Sequence, residues 1–122
     1  RPGEVVLVVE DEERVRTTSV EALRELGYRV LVAADGPQAL KILESGAAVT
    51  LLFTDVVMPE MTGRQLADRA MQLRPELKVV YTTGYTRNAV VHNGVLDPGT
   101  HFLPKPFTVE QLAAKIRDVL DG

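Results

Sequence analysis

Cysteine is absent from the 122-residue chain, which excludes a disulfide framework, a thiol nucleophile and a thiolate zinc site, and makes a reducing, cytoplasmic compartment the expected one. Histidine is scarce. The only two, His92 and His101, lie near no other ligand type in sequence, so a transition-metal site is not expected. Long hydrophobic runs are also missing. The longest mostly apolar ones, Val5–Val9 and Val49–Phe53, are far too short to cross a bilayer, and no basic stretch precedes an apolar signal core, so no membrane contact is expected of this segment. Neither sign of charge dominates: 14 Lys+Arg face 17 Asp+Glu. The basic residues are scattered and the pI is about 5.4, which argues against direct contact with nucleic acid. Low-complexity stretches, charge blocks and linker composition are absent from residues 4–121, which are therefore expected to form a single domain. The chain opens Arg1-Pro2-Gly3 without an initiator Met, which suggests a segment of a longer polypeptide.

What is present is a chain that is 45% hydrophobic and long enough to bury roughly two-thirds of its unfolded surface without a staple. Short apolar runs alternate with segments of helical spacing five times, at about 24 residues per unit. The runs Val5–Val9, Arg29–Ala34, Val49–Thr54, Leu77–Thr82 and His101–Leu103 lack strict alternation, as expected of parallel strands buried on both faces. A stripe of Val15, Ser19, Ala22, Leu23 and Leu26 predicts a first helix ending at Gly27. Asp35-Gly36-Pro37 opens a second that runs to Gly46. Capping boxes, Thr62-x-x-Gln65 and Thr108-x-x-Gln111, open the third and fifth. In the fourth crossover, Asn93-Gly94 and Asp97-Pro98-Gly99 leave room for only a short or irregular helix. The pattern predicts an α/β domain with a five-stranded parallel sheet between helices.

In such a sheet ligands bind beyond the carboxyl ends of the strands, and here those ends are polar. Strand one runs into Glu10-Asp11, strand three into Thr54-Asp55, strand four into Thr82-Thr83-Gly84, and Lys105 follows strand five. Each has an ordinary reading alone: Glu10 and Asp11 as helix caps, Asp55 as a turn residue, Thr83 as a strand residue, Lys105 as a solvated charge. Together they differ, because three acids at adjoining strand ends repel one another unless a cation sits among them. A hard divalent ion, Mg²⁺ or Mn²⁺, suits an oxygen-rich site. Acids with a Lys and a Thr read as a phosphoryl-transfer site. With no Cys, and Ser only at Ser19 and Ser45 inside predicted helices, Asp55 is the best-placed nucleophile.

Four strings carry a specific resemblance: Leu7-Val8-Val9-Glu10-Asp11-Glu12, Asp55-Val56-Val57-Met58-Pro59-Glu60-Met61-Thr62-Gly63, Thr83-Gly84-Tyr85, and Lys105-Pro106-Phe107. In order and spacing they resemble the signature blocks of the receiver domain of two-component response regulators, over residues 4–121. The resemblance implies a flavodoxin-like, doubly wound sheet of strand order 2-1-3-4-5 and a cis peptide between Lys105 and Pro106. It also implies that Asp55 is the phosphoacceptor. Asp11, Asp55 and the main-chain carbonyl of Val57 would ligate Mg²⁺ directly, and Glu10 would hold it through water. Thr83 and Lys105 would bind phosphoryl oxygens. Phe102 takes the place of the switch aromatic, often Tyr in the family, and without a phenol it lacks that hydrogen bond. The implied partner is a histidine kinase or histidine phosphotransfer domain. The wording from Gly84-Tyr85-Thr86 to Phe107 is most similar to receivers of hybrid sensor histidine kinases, whose parent protein can be membrane-anchored; a free-standing response regulator is the alternative.

Other classes fit less well. Haloacid-dehalogenase-type phosphatases resemble Asp-x-Asp at the nucleophile, whereas the second position here is Val57, so nothing is left to activate water and a turnover enzyme is not expected. A flavin site wants a Ser/Thr/Gly phosphate loop where this chain has Glu10-Asp11-Glu12-Glu13, and the dinucleotide motif Gly-x-Gly-x-x-Gly is absent. An unphosphorylated interaction module would not need the complete acid, Thr and Lys set. Val57 and Tyr85, each two residues beyond a site residue, are expected to shield a phosphoryl group from water.

Overall fold

Every side chain of Val5–Val9 is buried, which requires a strand in mid-sheet with both faces covered. This is β1 of a computed structural model that describes residues 4–83 and 101–121. It is followed by α1 (Glu13–Glu25), β2 (Arg29–Ala33), α2 (Gly36–Glu44), β3 (Leu51–Asp55), α3 (Gly63–Leu73), β4 (Lys78–Thr83), β5 (Phe102–Pro104) and α4 (Val109–Asp121). All four pairings are parallel and the strand order is β2-β1-β3-β4-β5, as the resemblance implied. The expected irregular helix of the fourth crossover and Tyr85 fall in 84–100, outside the described residues. The helix expected fifth is α4 here.

Alternation along the central strands divides the core into two layers. Leu7, Leu52 and Tyr81 face α2 and α3, while Val8, Phe53 and Val80 face α1 and α4. Phe53 and its neighbours are almost fully buried, and burying such a side chain contributes about 1.5–3 kcal/mol. Helix ends follow the sequence signals. Asp35 caps α2 by accepting from the Gln38 N–H, and Thr62 and Gln65 form the full capping box of α3. Thr108 and Gln111 exchange the same pair of bonds ahead of α4. Gly27 supplies the positive φ of 95° that lets the chain turn from α1 into β2.

Several strand limits differ from the sequence pattern. The third begins at Leu51 instead of Val49, because Thr50 is occupied at the sheet's entry: its hydroxyl accepts from the Val5 N–H and its own N–H donates to the Val5 carbonyl. That strand extends to Asp55, so the acid belongs to the sheet and not to a following turn. The second ends at Ala33, since the Ala34 N–H is taken by Gln38. The last two strands sit one residue later than expected.

Arg117 of α4 ties the opposite edge of the sheet together, donating to both Glu4 carboxylate oxygens at 2.9 and 3.1 Å, to Asp121 and to the Tyr28 hydroxyl. The hydrogen bonds from Arg117 pull Glu4 down to about 2 from an ordinary value near 4.5. A depressed carboxylate stabilises the fold fully above its unfolded value and loses that contribution as pH falls through the folded one. Acid melting curves between pH 5 and pH 2 are therefore expected to be less steep in Glu4→Gln than in the parent; superimposable slopes would contradict the assignment.

Candidate functional site: an acidic pocket at the carboxyl edge of the sheet

The two central strands deliver the acids. Glu10 follows β1 and Asp55 ends β3, and both are buried, at 4% and 5% exposure, whereas Asp11 is exposed. One oxygen from each of Glu10, Asp11 and Asp55 lies within 4.8 Å of the others. Lys105, arriving from beyond β5, places Nζ 2.6 Å from Glu10 Oε1 and 3.4 Å from Asp55 Oδ2. The peptide between Lys105 and Pro106 is cis, as the resemblance implied. Thus the acids and the ammonium meet as the strand ends suggested. Thr83 closes β4 at the same edge, but its side chain lies outside what the structure describes.

Glu10 and Asp11 do not cap α1. The N-cap position is Glu12, which makes no side-chain cap bond; instead Glu10 Oε2 accepts from the Glu12 N–H at 3.1 Å. Burial pushes the Glu10 carboxyl above the usual range against the opposing hydrogen bond from Lys105. Burial likewise raises Asp55, while the Lys105 ammonium and the Val57 N–H act to lower it and Asp11 adds repulsion. Lys105 also sits above its ordinary value. Burial, the largest single influence, works to lower it, but its bonds to Glu10 and Asp55 together prevail. One ammonium thus faces three carboxylates in a partly dry pocket, a poise that favours further positive charge.

Asp55 Oδ1 is buried with no hydrogen-bond partner among the described residues. A buried, unpaired carboxylate oxygen is costly, and here it sits in a cluster of hard oxygen donors, the donor set a small divalent cation takes. The pocket fits such an ion. Val57 stands at the rim, 40% exposed, and Phe102 is half-buried beside its register partner Tyr81.

Three contributors were not read from the sequence. Arg16 of α1 donates to the Glu10 carbonyl at 2.8 Å and anchors the acidic loop. Gly63 opens α3 so close to β3 that a Cβ there would lie 2.1 Å from the Asp55 carbonyl oxygen. Thr82 is buried on β4 beside Asp55. Gly63 left a trace as the last residue of a signature string, and Thr82 as one of the polar residues that end strand four.

A parallel 2-1-3-4-5 sheet with an acid pair after β1, an acid ending β3 and a lysine after β5 defines a class, and comparison with known proteins agrees. Residues 6–117 match the response regulator receiver domain family, and the chain belongs to it. It is 42% identical over 117 residues to sensor kinase CckA of Brucella abortus, a match covering 95% of this chain and 12% of that kinase. It is 35% identical to the response regulator receiver protein CpdR of the same organism, covering 94% of this chain and 95% of that protein. Among solved structures, the receiver domain of hybrid histidine kinase CckA superposes with a TM-score of 0.80 at 37% identity, covering 95% and 98% of the two chains. A receiver protein from Sinorhizobium medicae gives 0.87 at 29%, covering 99% and 97%. The chain is therefore a signalling domain of two-component systems, a family in which the phosphoryl-acceptor role is standard.

Proposed function

We propose that residues 4–121 act as one receiver whose Asp55 accepts a phosphoryl group from a phosphohistidine in a Mg²⁺-dependent reaction. The observation that carries this is the buried, unpartnered Asp55 Oδ1 within the Glu10, Asp11 and Asp55 cluster, while the other oxygen of the same carboxylate, Oδ2, lies 3.4 Å from Lys105 Nζ. An Asp55 oxygen forms the new bond to phosphorus as the phosphorus–nitrogen bond to the donor imidazole breaks. Lys105 offsets charge on the phosphoryl oxygens, and Thr83 donates to one of them. Asp11, Asp55 and the Val57 carbonyl would hold Mg²⁺ (Mn²⁺ substituting), with Glu10 acting through water. The bound ion would neutralise the transferred group. Phe102 reports the state of the site by moving against Tyr81.

A histidine kinase or histidine phosphotransfer domain is the donor. A largely apolar groove of about 440 Å³, lined by Arg14, Val15, Thr18, Ser19, Pro106 and Phe107, leads to Lys105 and suits the helix that would carry the histidine. Neither nucleic acid nor a membrane is a direct partner. No described helix is long and apolar enough to cross a membrane, and a cytoplasmic site of action accords with the absence of cysteine. The likeness to CckA supports a hybrid sensor kinase as the parent, with a free-standing regulator as the alternative. The domain promotes its own phosphorylation and is not a turnover phosphatase, since Val57 stands where such enzymes place an acid.

The test is transfer from a phosphorylated histidine phosphotransfer domain. Label is expected to pass to this chain with Mg²⁺ and not with chelator, and to be released by hydroxylamine. Label that is stable to hydroxylamine would refute an acyl phosphate. We further expect Val57→Asn with Tyr85→Glu to shorten the lifetime of the phosphorylated form several-fold, because polar groups there orient an attacking water; equal decay in the parent would reject shielding.

A further inference from the structure

Two buried polar atoms among the described residues lack a partner: Asp55 Oδ1 and Thr82 Oγ1. Their residues are register partners on β3 and β4. Phe53 and Val80, two positions earlier, pack in the same layer against α1 and α4, so by alternation Asp55 and Thr82 face that side too. Glu10, one step beyond the Val9 and Thr54 pair, and Leu103, the partner of Thr82, complete a row across four strands. Lys105 starts beyond β5, yet its Nζ reaches Glu10 and Asp55 at the ends of β1 and β3. Because β4 lies between β5 and β3, the lysine stem must cross the end of β4, on the side Thr82 faces.

Glu10 is fully engaged as the pocket stands. Oε1 accepts from Lys105 and Oε2 from the Glu12 N–H. A cation drawing on Glu10 and Asp55 competes with the ammonium for the same oxygens, and the ammonium then needs another acceptor along the row. Among the described residues, the hydroxyl on that row is the unpaired one of Thr82. Resting on the function proposed above, we infer that Thr82 is a positioning residue, whose hydroxyl accepts a hydrogen bond from Lys105 Nζ when a divalent ion occupies the acidic pocket. This gives the buried Thr82 hydroxyl a partner that the described residues do not otherwise supply.

The test compares the parent with Thr82→Val and Thr82→Ser. Without metal, Thr82→Val is expected to melt higher, since it removes an unsatisfied hydroxyl at almost unchanged shape; this shows the variant is folded. Its affinity for Mg²⁺, measured by calorimetry, is expected to fall about tenfold, the scale of losing a hydrogen bond to a charged group, and Thr82→Ser is expected to restore it to within about twofold. The rate of phosphorylation by a small phosphodonor at saturating Mg²⁺ should fall in Thr82→Val and recover in Thr82→Ser. Unchanged Mg²⁺ affinity in Thr82→Val, or a failure of Thr82→Ser to rescue it, overturns the inference while leaving the receiver reading intact. A parent protein that binds no Mg²⁺ overturns both.

Discussion

Replacing Lys105 by Met is expected to destabilise the metal-free protein by about 3–5 kcal/mol, the range seen when one partner of a buried ion pair is removed and the other charge is left uncompensated. The reason is local. Lys105 is 17% exposed and is the ammonium that meets Glu10 at 2.6 Å and Asp55 at 3.4 Å, and both acids are already raised by burial. The sign of the pH dependence follows. A carboxylate whose folded value lies above its unfolded one weakens the fold as pH rises through that window. Lys105→Met is therefore expected to regain stability on acidification from neutral pH toward the ordinary carboxylate range, the opposite of the Glu4 effect. Mg²⁺ should recover part of the loss at neutral pH. Phosphorylation is expected to slow about 10²–10³-fold, as when a preorganised charge-stabilising donor is lost. Chemical denaturation at two pH values, with and without Mg²⁺, checks this; a loss independent of both would show that Lys105 merely packs.

Gly63→Ala is expected to damage the site from the other side. Its methyl carbon would stand 2.1 Å from the Asp55 carbonyl oxygen and 3.1 Å from Val56 Cα, both backbone, while the Gly63 N–H already donates to the Val56 carbonyl at 2.8 Å. Nothing there can swing aside, so α3 must move off the end of β3. We expect about 2–4 kcal/mol of lost stability, the scale of overpacking a rigid contact. Displacing the carboxylate by about 1 Å should slow phosphorylation about 10²-fold. Gly36→Ala is the control: its methyl would meet the Met61 side chain, 2.6 Å from Sδ, and a flexible thioether can relocate. Equal effects of the two substitutions in denaturation and phosphorylation assays would contradict the geometric account.

How far the sequence reveals this molecule depends on the range of the interaction. Val5–Val9, the Thr62 and Gln65 box and Gly27 carry their structural meaning within a few residues, so strands, helix starts and turns were legible. The grouping of Glu10, Asp11, Asp55 and Lys105 was legible because parallel strands all end at one edge, whichever order they take; the order itself came from family resemblance. The limits of β3 were not, since they depend on Thr50 bonding to a residue 45 positions away. Nor was the preference of Lys105 for Glu10 over Asp55, a matter of 2.6 Å against 3.4 Å reached across separations of 95 and 50 residues. Arg16 and Thr82 carry no local signal of a role, which depends on the Glu10 carbonyl and on a row of side chains drawn from four strands.

Intact-mass measurement after incubation with Mg²⁺ and a small phosphodonor decides whether Asp55 is the phosphoacceptor. The parent is expected to gain one phosphoryl group, and to gain none with chelator present; Asp55→Asn is expected to gain none. That variant leaves Lys105 paired with Glu10 and removes one of three clustered carboxylates, so it should also melt above the parent in the absence of metal. The same mass gain at the parent's rate in Asp55→Asn would contradict the assignment.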